Sequence, residues 1–191
     1  MLRSGIAFAS ALSLCLGASA FAQTVSSENQ RNIDQQQRID QGLQSGQLST
    51  GEASKLENGE ARIDGMESNA LKNGNLSAGE KRDIQRAQNN ESRRIYALKH
   101  NGTTGNPNSA SSQRMQADVQ RNINQGRRIQ QGINSGSLSR RDVGQLQGGQ
   151  AHVARLEGKA GADGYVGPRE QRHIQHAHNV QSQKIFAEKH E

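Results

Sequence analysis

Four histidines near the end of the chain carry side chains that can coordinate a metal ion: His152, His173, His176 and His178. His173 and His176 are three residues apart, which places them on one face of a helix. His152 lies twelve residues before Gly164 and His173 nine after it, so an antiparallel helical hairpin brings both to a similar height. Imidazole nitrogens bind zinc and copper. The sequence therefore predicts a zinc or copper site at His152, His173 and His176.

The alternative interpretation is that these histidines are exposed polar positions that bind nothing. Ninety residues earlier the chain carries Arg62, Asp83 and Arg86, so a metal site would belong to the second half alone. On a helix, His178 also faces away from His173. The sequence leaves both interpretations open.

Two further histidines, His100 and His190, follow lysines at the ends of predicted helices. Cationic groups at helix C-termini interact favourably with the free carbonyls, so we interpret both as helix-end residues rather than ligands. The aromatic residues Tyr96 and Phe186 each follow an isoleucine, and we predict that they anchor the core.

Two carboxylates, Glu67 and Glu157, recur 90 residues apart, and we interpret each as an ion-pair partner beside a packing seam. The sequence contains no Ser-His-Asp set, no paired-carboxylate cleft and no phosphate-binding loop. It therefore predicts a protein that is not an enzyme.

Two capping boxes mark the starts of predicted helices. Ser49 and Glu52 form the first, and Ser77 and Glu80 form the second. In such a box the serine side chain accepts a backbone N–H of the first turn, and the glutamate accepts the N–H of the serine. The segment between them, residues 49–74, is predicted to be one helix, and Gly74 suits the left-handed residue beyond its end.

The pattern Gly-x-Leu-Ser-x-x-Glu at residues 46–52 and again at 74–80 resembles the second half of an EF-hand calcium loop. In that family the glycine makes the turn and a bidentate glutamate closes the loop. The resemblance implies that Glu52 and Glu80 are calcium ligands. The places of the family's first two acidic ligands hold Gln41, Leu43, Asn69 and Leu71.

A third corner, Ala-Asp-Gly-x-Val-x-Pro-x-Glu at residues 162–170, resembles helix corners of TerB-like bacterial proteins. It adds Asp163 and Glu170 to the corner carboxylates that a calcium ion would use. Pro168 suits the first turn of the helix that follows.

An internal duplication organises the chain. Shifting residues 29–101 by 90 positions aligns them with residues 119–191 without a gap, and 30 of the 73 positions are identical. The apolar spacing in each copy is helical. We therefore predict an all-α fold, a tandem duplication of an antiparallel three-helix unit with EF-hand-like corners. Repeat one spans residues 23–100 and repeat two residues 113–191, with a linker at residues 101–112.

The first 22 residues have the pattern of a cleaved signal peptide: Arg3, an apolar run, and Ala20-Phe21-Ala22 before the cut. We predict a periplasmic or secreted protein without a transmembrane segment after cleavage. The only cysteine lies in that leader, so the mature chain has no disulfide and no thiolate site. Its net charge is +5, with the charges interspersed, and only three aromatic residues remain. Both features argue against nucleic-acid binding.

The chain resembles small, uncharacterised exported helical proteins of Gram-negative bacteria. That resemblance implies an exported location and a helical fold, and it implies no activity. Our first hypothesis is a non-enzymatic periplasmic protein that acts through its bundle surfaces as an interaction or stress-related module, with an unidentified protein partner or self-association. The alternative is a metal-binding protein, using zinc or copper at the repeat-two histidines or calcium at the corners.

Overall fold

The structure is a computed structural model that describes residues 15–190, with side chains described from residue 24 onward. Helices and no strands make up this part of the chain, which confirms the all-α fold. The helices are α1 (Cys15–Ser45), α2 (Thr50–Leu71), α3 (Ala78–Lys99), α4 (Ala110–Ser135), α5 (Arg140–Ala160) and α6 (Pro168–Glu188). Residues 23–100, the predicted first repeat, hold most of α1 together with α2 and α3, and residues 113–191, the predicted second repeat, hold most of α4 together with α5 and α6.

The first helix is longer than the sequence predicted. We expected it to begin at Ser27, but α1 begins at Cys15. The added residues include several alanines and no proline, so nothing in them interrupts a helix. Most of the predicted signal peptide, residues 1–14, lies outside the described residues. None of the helices described is both long and apolar enough to cross a membrane.

The predicted capping boxes are confirmed. The Ser49 side chain accepts the backbone N–H of Glu52, and the Glu52 carboxylate accepts the backbone N–H of Ser49 at 2.9 Å. Ser77 and Glu80 repeat this arrangement at the start of α3. Gly74 has the left-handed backbone conformation that the sequence predicted, with φ 73°.

The two halves pack against each other along their lengths. The most extensive contacts join α2 to α5 and α1 to α4, so residues from both repeats share one interior. One apolar cluster draws on all six helices, including Leu56, Met115 and Ile174. A second cluster includes Leu71 and Leu146.

The glycines of α5 have a packing role that the sequence did not reveal. From the sequence they are expected only to weaken the helix, because glycine in a helix interior costs up to about 1 kcal/mol against alanine. A Cβ at Gly144 would lie 2.9 Å from the Cβ of Leu71, and a Cβ at Gly148 would lie 2.9 Å from Oγ of Ser68. These glycines therefore allow α5 to approach α2 closely.

The linker approaches the turn between α1 and α2 closely at Gly105. The backbone N–H of Gly105 donates to the carbonyl of Gly46 at 2.8 Å, where the chain turns from α1 to α2. The last residues of the predicted linker, 110–112, belong to α4.

The prediction that Tyr96 and Phe186 anchor the core is wrong, because their side chains are 67% and 61% exposed. The buried residue of each pair is the isoleucine before it, and one helical step of about 100° turns the next side chain outward. Tyr96 stacks on His100, and Phe186 stacks in the same way on His190.

Candidate functional site

The three predicted metal ligands lie on one surface groove. His152 on α5 and His173 and His176 on α6 are exposed and line a groove of about 520 Å³ between the two helices. The predicted hairpin at Gly164 therefore brings the three residues to the same surface. Their side chains do not form a ready ligand set, since no three His, Cys, Asp or Glu side chains among the described residues are placed to hold a metal ion.

The corner carboxylates accept backbone N–H groups. Glu52 and Glu80 serve their capping boxes, and Glu52 also accepts from the side chain of Asn101 at 2.6 Å. Asp163 accepts the backbone N–H of Tyr165 at 2.9 Å, and Glu170 accepts that of Gly167 at 2.7 Å. These contacts explain the carboxylates as parts of turns and helix starts.

The two end histidines support the helix-end interpretation. Nδ1 of His100 lies 2.7 Å from the carbonyl oxygen of Tyr96, and Nδ1 of His190 lies 2.6 Å from that of Phe186. Each imidazole therefore satisfies a carbonyl that the end of the helix leaves free.

The prominent polar site is inside the protein, in repeat two. One carboxylate oxygen of Glu157 lies 3.0 Å from Nε2 of His178. The other accepts a hydrogen bond from the side-chain amide of Asn122 at 2.7 Å. Gln125 donates to the His178 carbonyl at 2.9 Å, and Asp118 lies 3.9 Å from Nε2 of His178. His178 is 0% exposed, so the interpretation of this histidine as an exposed polar position is wrong.

Repeat one contains the same arrangement 90 residues earlier. Glu67 accepts from the Asn32 amide at 3.0 Å, and Gln88 stands where repeat two has His178. Gln88 donates to the side-chain oxygen of Asn32 at 2.7 Å and to Glu67 at 3.3 Å, and Gln35 donates to the Gln88 carbonyl. Side-chain amides therefore hydrogen-bond to Glu67, in place of the ion pair that the sequence predicted.

Burial raises the pKa of five carboxyl groups in the interior. It raises the pKa of Asp118 to about 8, and the neighbouring Glu157 carboxylate adds to the rise. Burial also raises the pKa of Glu67 well above its ordinary value, helped by the charge of Asp64. The pKa values of three further carboxyl groups on α2 are raised by burial, those of Glu57, Glu60 and Asp64. Burial therefore favours the protonated form of these five carboxyl groups over the ionised form.

A small chamber lies within this polar interior, between α1, α2, α4 and α5. Its volume is about 20 Å³, enough for one occupant of the size of a water molecule. The polar side chains on its wall include Gln36, Glu60, Asp64, Asn122, Gln147 and Gln150. Both carboxylate oxygens of Glu60 are buried without a hydrogen-bond partner in the described structure.

Most of this interior was not predicted from the sequence. Glu67 and Glu157 stood out there, but the asparagines and glutamines around them did not. The available signal was the identity of Asn32 with Asn122 and of Gln35 with Gln125. A polar residue kept in both copies beside buried apolar positions indicates a shared internal hydrogen bond.

The fold and its interior define an all-α protein with a buried network of carboxyl and amide groups. Comparison with protein-family models, with curated proteins and with solved structures gives no match for the chain.

Proposed function

We propose that this chain is an exported, non-enzymatic, stress-related helical module that keeps its fold in acid. The observation that carries the proposal is the set of buried carboxyl groups, which are held by amides in both repeats and also by His178 in repeat two. The leader-like first 22 residues and the lack of a catalytic motif in the sequence support the location and the non-enzymatic role.

Asp118 represents the set in repeat two. It is 0% exposed and accepts from the Gln171 amide at 2.7 Å. Glu157 on α5 faces it with like charge, His178 on α6 lies 3.9 Å away, and Arg121 on its own helix acts in the opposite direction to Glu157. The raised pKa means that the folded protein retains a proton on Asp118 that the unfolded chain has released above about pH 4.

Glu67 represents the set in repeat one and is 4% exposed. Carboxylates face it from Glu28 on α1 and from Asp64 on its own helix, while Asn32 favours its charged form. Like that of Asp118, the raised pKa of Glu67 makes the folded state more stable at low pH than at high pH. A buried carboxyl group in each repeat therefore stabilises the fold at low pH.

The consequence for stability has a definite sign. Where the folded state holds more protons than the unfolded state, the free energy of unfolding falls as pH rises. For carboxyl groups with raised pKa values this window runs from about pH 4 to about pH 8. Acid below neutrality therefore strengthens the fold instead of weakening it.

The test is thermal unfolding of the purified protein, followed by circular dichroism between about pH 4 and about pH 8. We expect the Tm to be higher at the acidic end of this range. A Tm that is highest near neutrality and falls steadily in acid would contradict the proposal.

A second candidate function is transition-metal binding on the α5–α6 groove. It is favoured by the meeting of His152, His173 and His176 on one exposed surface, where side chains can change rotamer to reach a common ion. Equilibrium dialysis against zinc and copper should show binding that His152→Ala weakens. The matched control is His100→Ala, which changes an exposed histidine away from the groove.

A further inference from the structure

The central chamber holds oxygen atoms that no hydrogen bond uses. Glu60 is 1% exposed, and neither of its carboxylate oxygens has a partner among the described residues. The amide oxygens of Gln36, Asn122 and Gln150 are likewise buried and unpartnered there. A buried acceptor without a hydrogen-bond partner destabilises the fold. This concentration of unpartnered acceptors therefore indicates a positively charged or proton-donating occupant.

The orientation of two of these amides is fixed by their nitrogen atoms. The Gln36 amide nitrogen donates to Glu57 at 2.9 Å, and the Asn122 amide nitrogen donates to Glu157 at 2.7 Å. Because each nitrogen is committed to a carboxylate, the oxygen of the same amide remains as a free acceptor. The chamber wall therefore offers oxygen acceptors rather than N–H donors at these two positions.

We propose that the chamber binds one hard divalent cation, calcium by preference, through Glu60, Asp64 and the amide oxygens of Gln36, Asn122 and Gln150. Calcium takes six to eight oxygen ligands, and carboxylates and side-chain amide carbonyls are its usual protein ligands. Zinc and copper prefer nitrogen and sulfur, which this set does not offer. Two of the ligands are carboxyl groups, which bind the ion in their ionised form and release their protons when it enters, and neutral amides complete the set.

The size of the chamber favours calcium over magnesium. Magnesium usually keeps several of its water molecules when a protein binds it. A volume of about 20 Å³ has no room for an ion with several waters. An ion in this chamber must exchange its water shell for protein oxygens, which calcium does more readily.

The differences between the repeats set the charge of the chamber. Glu60 corresponds to Gln150, and Asp64 corresponds to Ala154, at a spacing of 90 residues. The carboxylates therefore come from repeat one alone, while repeat two supplies a neutral amide and a methyl group. Two carboxylates match the charge of one divalent cation, whereas two identical repeats would have placed four there.

This site is separate from the corners that resemble EF-hand loops. Glu52 and Glu80 are occupied with their capping boxes at the starts of α2 and α3. The proposed ligands lie instead inside the bundle, and both repeats contribute to them.

The experiment is calorimetric titration of the purified, EDTA-treated protein with calcium chloride at neutral pH, with magnesium chloride for comparison. We expect one calcium ion per chain, a dissociation constant at or below about 1 mM, and a higher Tm with calcium present. Glu60→Gln introduces the residue found at position 150, and Asp64→Ala introduces the residue found at position 154. Each should weaken calcium binding by about tenfold or more, whereas the corner control Glu80→Gln should leave it unchanged.

Circular dichroism at each titration point shows whether a variant is folded, and Asp64→Ala serves if Glu60→Gln fails to fold. No calcium uptake by the folded wild type up to about 10 mM would overturn the proposal. So would wild-type affinity in both chamber variants. A loss of binding confined to Glu80→Gln would place the ion at the corner and would equally overturn the chamber site.

Discussion

Glu157 and His178 lie 3.0 Å apart, Oε1 to Nε2, and both side chains are 0% exposed. In repeat one, Glu67 and Gln88 occupy the same two positions, and the Gln88 amide donates to Glu67 at 3.3 Å. Histidine and glutamine differ in shape and charge, but each can present an N–H group to a buried glutamate. The pair shows that the repeats share an internal hydrogen bond where their sequences differ.

This relationship predicts that His178→Gln is tolerated and His178→Ala is not. Glutamine reproduces the donor of repeat one, so we expect a loss of less than about 1.5 kcal/mol in the free energy of unfolding. Alanine leaves Glu157 without this partner in the interior, and we expect a loss of about 3–5 kcal/mol. Urea denaturation of the two variants measures the difference, and equal losses would show that the N–H donor is unimportant.

The close approach of α2 and α5 predicts opposite effects for two glycine substitutions. Gly144→Ala places a Cβ 2.9 Å from the Cβ of Leu71 and 3.5 Å from the carbonyl oxygen of Ser68. We expect it to destabilise the protein by about 1–3 kcal/mol. Gly65→Ala is the matched control, since a Cβ there meets nothing within 4 Å.

At Gly65 the higher helix propensity of alanine should stabilise the protein by up to about 1 kcal/mol. Thermal unfolding of both variants should show a lower Tm for Gly144→Ala and a higher Tm for Gly65→Ala. If Gly144→Ala also raised the Tm, the interface between α2 and α5 would be looser than described.

Because Tyr96 is exposed and Ile95 is buried, alanine substitution should lower the free energy of unfolding slightly at Tyr96 and strongly at Ile95. Tyr96 is exposed and stacks on His100 with ring centroids 4.2 Å apart. Tyr96→Ala should therefore cost less than about 1 kcal/mol. Ile95 is 1% exposed, and Ile95→Ala should cost about 2–5 kcal/mol because it leaves a cavity. Urea denaturation distinguishes this order from the reverse, which a core role for Tyr96 would produce.

The capping hydrogen bond at the start of α3 predicts that Ser77→Ala lowers the free energy of unfolding modestly. The Ser77 hydroxyl accepts the N–H of Glu80 at 3.2 Å at an exposed helix start. Removing it should cost about 1 kcal/mol in the free energy of unfolding, measured by urea denaturation. The control is Thr104→Ala, which removes an exposed hydroxyl from the linker between α3 and α4, away from any helix start. A loss at Ser77 no larger than at Thr104 would contradict the capping role.

The helices could be predicted because their signals are local. The capping boxes at Ser49 and Ser77 and the turn at Gly74 depend on residues within a few positions of one another. The bounds of α3, Ala78–Lys99, follow from such signals and agree with the sequence, which predicts a helix from Ala78 to about Lys99. The start of α1 was predicted less well, since its alanine-rich first turns carry no helix-start signal.

The interior could not be predicted in the same way, because it depends on which helices meet. Asp118 and Gln171 are 53 residues apart, and Gly144 and Leu71 belong to different repeats. The groove histidines were found because a single hairpin brings them together. The chamber needs four helices from both repeats, and no local pattern specifies that arrangement.

The acid-stabilised interior is tested most directly by the free energy of unfolding, measured by urea denaturation between about pH 4 and about pH 8 for the wild type and for Asp118→Asn. We predict that the wild-type value falls as pH rises, by up to about 1.4 kcal/mol per pH unit for each carboxyl group that keeps its proton. Asp118→Asn should make the slope shallower, because the burial that raises the pKa of Asp118 then has no carboxyl group to act on. A free energy of unfolding that rises from acid to neutral pH, with the same slope in the variant, would contradict the interpretation.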